Sequence, residues 1–450
     1  MRNLKISYFV FIFICIAVWL ATGEFYGINN GYFAFRREVI QLTGLLAFVA
    51  MSIDVVIACR LKLIDDALGG LDKAYRLHKW LGITALLTAV THFLLTKGTK
   101  WAVGWGWLEK PVRHHIDIAN LPQKIGLEYV FSICRKNAEV LGEWAFYIAV
   151  VLCLVALIKL IPYRFFAHVH TILAAVYLVL VFHAVVLTKF AYWSEPFGLL
   201  VGVSSIFGSV AAITVLLKRF GFGRHIAATV TDYTIDKAND VVRLTLKVTD
   251  KWAGHKSGQF AFITLDKGEG AHPFTIASHW NPKNPFLTFF VKDLGDYTDK
   301  LAKQNLTGRK ARIDGPYGKF CFCDDKSPEQ IWIGAGIGIT PFLARLDELA
   351  SLKKVDNGQI NFVYVIQTIS GSEKQKLAEL AQSAGVRLKI WLTPEEGRFN
   401  GSVLRQLFAN WKQSSIWFCG PIKFGETLED DMVKNGFARG RFHRELFQMR

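Results

Sequence analysis

The chain has 450 residues, a formal net charge of +16 at pH 7, and a composition that is 52% hydrophobic and only 20% charged. This length allows two or three domains, and the lack of a basic stripe or binding motif argues against nucleic acid as a partner. The seven cysteines are scattered and form no CxxC pair, which argues against a zinc site and against a disulfide framework.

Six apolar stretches in the first half of the chain are each long enough to cross a bilayer, which needs about 20 apolar residues. They lie at about 7–22, 37–59, 76–96, 139–161, 166–189 and 196–217. The first stretch resembles a secretory signal, but no good small-x-small cleavage site follows it, so we expect an uncleaved span. The sequence therefore predicts a six-helix transmembrane bundle over residues 1–222, embedded in membrane lipid.

Lysine and arginine residues predict how this bundle is oriented. The loops on one side carry Arg2, Lys5, Arg60, Lys62, Lys73, Arg76, Lys159, Arg164, Lys218, Arg219 and Arg224. The positive-inside rule places these loops and both termini in the cytoplasm, with the protein integral to the plasma membrane. The opposing loop 97–138 is also basic, but its length weakens its influence on orientation.

Histidines mark both ends of the third and fifth spans. His78 and His92 are 92 − 78 = 14 residues apart, and His170 and His183 are 183 − 170 = 13 residues apart. At a rise of about 1.5 Å per residue, the members of each pair are roughly 20 Å apart along a helix. Ionisable side chains inside a span are costly and indicate a functional site. Two stacked sites, each with one imidazole per helix, suit b-type haem, which takes an axial nitrogen on each face.

Two alternatives remain for these histidines. They could be interior residues of the bundle that hydrogen-bond to backbone carbonyls. In addition, 13 residues at about 100° each leave His170 and His183 about 140° apart around the helix, whereas 14 residues nearly restore one face. Either the fifth helix is distorted, or the two sites lie on different sides of it, or His168 is the inner ligand instead of His170.

From Gly223 onward the sequence changes to alternating apolar and polar residues, which is typical of half-buried strands. Several short strands punctuated by turn residues predict a small antiparallel β-barrel over residues 223–326. Strands and helices then alternate over residues 327–450, which predicts an α/β domain with a parallel sheet covered by helices on both faces.

A glycine-rich turn lies between the first strand and the first helix of this α/β domain. Its backbone amides could approach a phosphate, and the helix that follows favours an anion at its N-terminus. Thr340 is expected at the cap of this helix and Pro341 at its first position. The candidate dinucleotide-binding residues are Gly334, Gly336, Gly338, Thr340 and Pro341.

The barrel carries an aromatic residue followed by a hydroxyl, which suits a flavin. Phe274 would lie against the flavin ring, and Thr275 would bind a polar group of the ring or ribitol. On composition alone, the same segment is an edge strand that begins with proline. The segment contains His272, Pro273, Phe274, Thr275 and Ser278, and it is the family resemblance given below that makes these residues flavin-binding candidates.

The paired histidines resemble those of the ferric-reductase-like transmembrane family, which includes the NADPH oxidases and the metalloreductases. That resemblance implies that His78 and His170 bind an inner haem, and that His92 and His183 bind an outer haem. The stretch 223–450 is similar to the ferredoxin–NADP reductase superfamily, in which the HPFT segment corresponds to the flavin motif. This second resemblance implies FAD as a cofactor and NADPH or NADH as the electron donor.

The same resemblance assigns roles to four further segments. It implies that Lys292, Gly295 and Thr298 bind the flavin pyrophosphate, and that Gly315-Pro-Tyr-Gly318 forms the interdomain turn. It also implies that Cys419, Gly420 and Pro421 flank the nicotinamide, with Cys419 catalytic. It implies that Phe447 covers the face of the flavin that the nicotinamide needs. Ile366-Gln367 departs from the Val-Arg that the family often has, which leaves NADPH or NADH as the donor, with Arg398 a possible substitute.

The function implied is electron transfer across the membrane, from cytosolic NAD(P)H through FAD and two haems to an outside acceptor, either ferric chelate or oxygen giving superoxide. Three alternatives use the same features differently. The chain could deliver electrons to quinone or a partner protein. It could act as a redox sensor or relay without its own turnover. It could be a transport protein that uses bare histidines as a proton path.

Overall fold

The computed structural model describes residues 2–23, 31–109, 124–158, 161, 163–219, 225–236, 239–266, 268–292, 301, 304–322, 325, 327–352 and 359–445. These form two compact units, which we call the helical unit and the sheet unit. The helical unit comprises Met1–Ile64 and Lys73–Gly223, and the sheet unit comprises Asp65–Asp72 and Arg224–Met449.

Long apolar helices make up the helical unit, because a segment in hydrocarbon must satisfy its backbone hydrogen bonds internally. The helices of the first half of the chain are α1 (Arg2–Ala21), α2 (Tyr32–Ala58), α3 (Lys62–Leu68), α4 (Leu71–Phe93), α5 (Thr99–Gly104), α6 (Gly126–Leu157), α7 (Tyr163–Leu187) and α8 (Pro196–Arg219). A π-helical turn, Leu94–Gly98, joins α4 to α5, and a 3₁₀ turn, Phe190–Ser194, precedes α8.

The prediction of six spans is confirmed in the described part of the chain. Six helical segments there are long and apolar enough to cross a membrane: Leu4–Ala21, Tyr32–Ala58, Leu71–Gly104, Gly126–Leu157, Phe165–Leu187 and Pro196–Lys218. Two of them are much longer than expected. The third runs on through the π-helical turn, and the fourth begins at Gly126, which is 139 − 126 = 13 residues before its predicted start. The chain is thus an integral, multi-pass membrane protein.

A buried polar contact fixes the packing of α2, α7 and α8. The Tyr177 hydroxyl lies 2.8 Å from Ser52 Oγ and donates to the Ser204 carbonyl oxygen at 3.0 Å. The Tyr177 ring stacks on Phe48 with centroids 5.8 Å apart. Gly208 leaves room for this side chain, since a Cβ there would lie 1.9 Å from the hydroxyl oxygen.

The first half of the sheet unit is an antiparallel sheet in the order β4-β3-β6-β1-β2-β5. Its strands are β1 (Ile226–Asp236), β2 (Val241–Val248), β3 (Phe260–Thr264), β4 (His272–Thr275), β5 (Phe286–Lys292) and β6 (Lys310–Tyr317). A bridge between Ile276 and Phe289 ties the end of edge strand β4 to the other edge strand, β5, so the sheet closes into the expected barrel. Alternate apolar residues of β2, such as Leu244 and Leu246, fill its interior.

The second half is a parallel sheet in the order β11-β10-β7-β8-β9. Its strands are β7 (Gln330–Ala335), β8 (Ile360–Ile366), β9 (Arg387–Leu392), β10 (Ser415–Cys419) and β11 (Phe442–Arg444). Its helices are α9 (Thr340–Ser351), α10 (Gly371–Ser383), α11 (Thr393–Glu396), α12 (Gly401–Leu407) and α13 (Ile422–Lys434).

Both faces of this parallel sheet are buried. In β7, Trp332 packs into one core, whereas Ile331 and Ile333 pack into the core on the other face. This arrangement confirms the predicted α/β architecture with helices on both faces. Strand β11 was not expected, because three residues are too few for a recognisable alternation.

Candidate functional site

The four candidate histidine ligands form two facing pairs in the helical unit. His78 of α4 and His170 of α7 approach with 3.5 Å between their Nε2 atoms and 5.7 Å between ring centroids. His92 of α4 faces His183 of α7, with ring centroids 6.3 Å apart. Each pair therefore takes one imidazole from each of the two helices.

Hydrogen bonds to backbone carbonyls orient three of these rings. Nδ1 of His183 donates to the Ala138 oxygen at 2.8 Å, and Nδ1 of His92 donates to the Ile40 oxygen at 3.0 Å. Nδ1 of His78 lies 3.2 Å from the Asp54 oxygen. A carbonyl can only accept, so these contacts place the proton on Nδ1 and leave the Nε2 lone pair for a metal.

Nδ1 of His170 differs, since it is buried and has no hydrogen-bond partner in the described part of the chain. Its ring stacks on Phe166 instead, with centroids 5.0 Å apart. His168, the alternative inner residue, is exposed. Helix α7 is continuous from Tyr163 to Leu187. The 13-residue spacing therefore requires no break in the helix for both of its histidines to meet those of α4.

Two glycines provide the space that the outer pair occupies. A Cβ at Gly142 of α6 would lie 1.9 Å from His183 Nδ1, and a Cβ at Gly44 of α2 would lie 3.2 Å from the His92 ring. A side chain at Gly142 would have to displace the imidazole. The facing Nε2 atoms of the inner pair, the facing rings of the outer pair and the Nδ1 contacts of three of the four histidines fit a b-type haem at each pair.

Four candidate flavin residues, His272–Thr275, form strand β4 of the barrel, and Ser278 follows this strand. Thr275 is buried, and its Oγ1 has no hydrogen-bond partner among the described residues, while the neighbouring Phe274 is half-buried. A buried hydroxyl without a partner is costly, so it fits a polar atom of a bound flavin. The Ser278 hydroxyl is already engaged, because it accepts the backbone N–H of Thr288 at 3.0 Å.

Of the remaining flavin candidates, one lies in the described part of the chain. Lys292 is the last residue of β5, whereas Gly295 and Thr298 lie outside the described residues. The predicted turn Gly315–Gly318 ends strand β6, and the Gly315–Pro316 peptide bond is cis.

The glycine-rich turn lies where β7 gives way to α9, as predicted. Gly336 has a φ of 56°, and a Cβ at Gly338 would lie 2.2 Å from the Cys419 carbonyl oxygen. The turn thus packs directly on the carboxyl end of β10. Strands β10 and β8 flank β7 on opposite sides. The carboxyl ends of β7 and β10 therefore form the switch point at which α/β sheets bind ligands.

One detail of this turn differs from the sequence prediction. The cap of α9 is Ile339 and not Thr340, which is the first helical residue; the Thr340 hydroxyl donates to the Ile337 oxygen at 3.3 Å. Pro341 is therefore the second helical residue and not the first, although it lies in the first turn of the helix. A 3₁₀ turn, Gly336–Ile339, directly precedes α9. The helix starts one residue earlier than predicted because Ile339 already has helical backbone angles.

Cys419 is fully buried at the end of β10, beside the glycine turn. The next residue, Gly420, packs closely against β7, since a Cβ there would lie 2.7 Å from Ala335 Cβ. Pro421 is the N-cap residue of α13. Burial raises the pKa of the Cys419 thiol well above its usual range, and the Glu445 carboxylate raises it further. The thiol is therefore protonated at neutral pH.

Glu445 is a site residue that the sequence did not single out for a role. It is buried just after β11, its Oε2 has no hydrogen-bond partner within the described chain, and burial raises its pKa well above the usual range. The only sequence signal was its position two residues before Phe447. Phe447 itself lies outside the described residues.

Comparison with known proteins identifies two of these regions. Residues 43–181 match the family described as ferric reductase like transmembrane component, and residues 226–321 match the FAD-binding domain family.

Three relatives illustrate the range of similar proteins. Stachydrine N-demethylase reductase subunit Stc4 of Rhizobium meliloti (strain 1021) is 28% identical over 43% of this chain and 58% of its own length. Ferric reduction oxidase 8, mitochondrial, of Arabidopsis thaliana is 26% identical over 30% of this chain and 21% of its own. Probable respiratory burst oxidase homolog protein I of Arabidopsis thaliana is 28% identical over 42% of this chain and 22% of its own.

The chain spans less than two thirds of the length of each of these relatives. Its two matched regions nevertheless follow one another in the order expected from the sequence, with the helices first and the flavin barrel second. The chain therefore has one region similar to a ferric-reductase-like transmembrane component, followed by one similar to an FAD-binding domain, and its relatives include ferric reduction oxidases and respiratory burst oxidase homologues, which confirms the resemblance drawn from its sequence.

Proposed function

We propose that this chain is an NAD(P)H-dependent oxidoreductase that carries electrons across the plasma membrane. Electrons would pass from cytosolic NAD(P)H through FAD and two b-type haems to an acceptor outside, either a ferric chelate or oxygen. The observation that carries the proposal is the two facing histidine pairs on α4 and α7, in a chain that also contains an FAD-binding domain.

In the helical unit, His78 and His170 would hold the inner haem and His92 and His183 the outer one. When bound, FAD takes two electrons from the nicotinamide and each haem passes them on singly. The protein fixes the ligands: the bonds from Nδ1 to the backbone hold His78, His92 and His183 in the tautomer whose Nε2 can bind iron.

In the sheet unit, Phe274 and Thr275 would contact the flavin, and Lys292 with Gly295 and Thr298 would bind its pyrophosphate. The turn Gly334–Pro341 would bind the pyrophosphate of NAD(P)H through backbone amides at the start of α9. Cys419 would lie beside the nicotinamide as a neutral thiol, and Phe447 would cover the flavin until the nicotinamide displaces it.

The test is the cofactor content and reduction of the purified chain and its histidine variants. We expect two haems with low-spin bis-histidine spectra and one FAD, all reduced by NAD(P)H. His92→Ala and His183→Ala should each lose the outer haem while FAD reduction by NAD(P)H survives, and His78→Ala should lose the inner haem. His168→Ala is the matched control and should keep both haems.

Two results would contradict parts of this proposal, and a third would show that the variants do not fold. A wild-type chain without haem absorbance would favour the histidine-based proton path. Full haem content in His170→Ala, together with haem loss in His168→Ala, would reassign the inner ligand. Haem loss with no FAD reduction in every variant would show a general folding defect, which the FAD content measured on the same samples detects.

A second candidate function is reduction of a quinone or a partner protein on the nucleotide side of the membrane. It is favoured by the likeness to a relative named as a demethylase reductase subunit, which covers 43% of this chain. The side of the membrane on which the acceptor is reduced separates the two candidates.

A further inference from the structure

The His78 imidazole differs from the other three because a carboxyl group lies beside it. Asp54 of α2 is 8% exposed, and its Oδ1 lies 3.3 Å from His78 Nδ1. Beyond this contact, Oδ1 has no hydrogen-bond partner in the described parts of the chain. Gly82 of α4 packs against the carboxyl group, since a Cβ there would lie at contact distance, 3.4 Å, from Oδ2.

At the outer pair, the groups that contact Nδ1 directly are neutral, and the charged side chains of Arg36 and Glu139 interact with His92 and His183 only at longer range. His92 Nδ1 has the Ile40 oxygen and, at 3.4 Å, the Thr43 hydroxyl, while His183 Nδ1 has the Ala138 oxygen. The two sites therefore share a ligand geometry but differ in the electrostatic environment of one ligand. A carboxyl group inside a membrane helix bundle is costly to keep, which points to a function.

We propose that Asp54 is a positioning residue that lowers the reduction potential of the haem held by His78 and His170 below that of the haem held by His92 and His183. This inference rests on the proposed function. The Asp54 backbone oxygen accepts the Nδ1–H of His78, and the carboxyl group 3.3 Å from the same Nδ1 raises the basicity of Nε2 electrostatically. A more basic ligand favours iron(III) over iron(II). The surrounding low dielectric strengthens the effect, because the site lies between buried helices.

The consequence is a direction for electron flow. An inner site of lower potential passes its electron to the outer site downhill, although both sites have two histidine ligands. The neutral Nδ1 contacts at His92 and His183 would then keep the potential of the outer site high, and so contribute to the potential difference together with the carboxyl group at His78.

The experiment is a redox titration of the full-length protein in detergent, followed by haem absorbance. Wild-type protein should show two potentials, and His183→Ala, which is expected to keep the inner haem, should retain the lower one. Asp54→Asn should raise the lower potential by about 59 mV for a tenfold change in the reduction equilibrium, and leave the higher one in place. Asp54→Glu, which keeps the carboxyl group, should shift the potential less than Asp54→Asn.

Ser52→Ala is the matched control. Ser52 is also buried on α2, but its hydroxyl contacts the Phe48 carbonyl oxygen and the Tyr177 hydroxyl instead of a histidine. Both potentials should therefore stay unchanged in this variant.

The outcomes separate this inference from the function it rests on. Wild-type protein without haem overturns the proposed function, whereas two haems with unchanged potentials in Asp54→Asn overturn the inference alone. If Asp54→Asn does not retain haem, the potential that His183→Ala retains decides the outcome. Retention of the higher potential overturns the inference, and retention of the lower one supports it.

Discussion

At the scale of single residues, the position of the His183 ring depends on the absence of a side chain at residue 142. A Cβ there would lie 1.9 Å from Nδ1, well inside van der Waals contact, so the imidazole must move. We expect Gly142→Ala to lose the outer haem while the inner haem and FAD remain. Haem content and a redox titration of the purified variant measure this outcome. Overpacking at residue 142 should also lower the stability of the variant by about 1–3 kcal/mol.

Gly44→Ala provides a graded comparison, because its Cβ would lie 3.2 Å from the His92 ring, a distance that a small shift relieves. This variant should keep both haems. Equal haem content in the two variants would show that the rings do not depend on the space left at Gly142.

Glu445 gives a prediction about pH. Its folded-state pKa is raised by burial, so the folded protein holds a proton that the unfolded chain releases above the ordinary glutamate value. Its contribution therefore lowers stability as pH rises above about 4.3, until the folded-state pKa is reached. We expect Glu445→Gln to raise Tm at neutral pH and to flatten the decline of Tm with rising pH.

The comparison is Glu395→Gln, which removes an exposed carboxylate from the same domain. Its Tm profile should follow that of the wild type. A Glu445→Gln profile parallel to the wild type would show that this carboxyl group is not held protonated by the fold.

The sequence was enough to predict the histidine pairs but not their surroundings. Spacing within two apolar spans indicated His78, His92 and His183, because ionisable groups are rare in such spans, but it left His168 and His170 as alternatives, and only the family resemblance implied His170. The contacts that orient the rings come from other helices: Asp54 from α2 and Gly142 from α6. Nothing in local pattern reports such tertiary neighbours, and the same limit applies to Glu445.

At the scale of elements, the glycine turn between β7 and α9 is held against β10. A Cβ at Gly338 would lie 2.2 Å from the Cys419 oxygen and 2.7 Å from the Gly420 nitrogen, both backbone atoms that cannot rotate away. Gly338→Ala should displace the turn from the switch point and weaken NAD(P)H binding about tenfold or more, for a cost of roughly 1–3 kcal/mol. Nucleotide Kd, measured with FAD content, checks this.

Gly371→Ala is the control for this prediction. Gly371 is the first residue of α10, a helix that packs on the same parallel sheet, and a Cβ there would meet no atom within 4 Å. Nucleotide affinity should be unchanged. An unaltered Kd in Gly338→Ala as well would argue against the turn as the nucleotide site.

Element types were predictable, whereas their ends were less so. Apolar runs and alternation predicted six spans, a barrel and a parallel sheet, because these patterns decide which faces are buried. Helix α6 begins at Gly126 although its first three turns carry Glu128, Arg135 and Lys136. Charged residues there lowered the hydropathy that defined the predicted span, but they do not interrupt a helix.

At the scale of the whole molecule, the proposed function has a direction. The positive-inside rule predicts that the basic loops and both termini lie in the cytoplasm, which would place the flavin barrel and the nucleotide turn on the donor side. His92 and His183 would then lie toward the opposite face, since each is 13 or 14 residues further along a span from its inner counterpart. The proposed order of the cofactors along the membrane normal would thus follow from charge and spacing together.

The last prediction concerns the side of the membrane on which the acceptor is reduced. Inside-out vesicles that contain the protein should oxidise added NAD(P)H, because the nucleotide site would face the medium. Right-side-out cells should reduce an impermeant ferric chelate or produce superoxide, since the outer haem would face the medium there. His183→Ala is the matched variant: it should retain FAD reduction by NAD(P)H in inside-out vesicles and lose reduction of the external acceptor. Reduction confined to the NAD(P)H side, unaffected by His183→Ala, would contradict the transmembrane route and favour delivery to a quinone or partner protein.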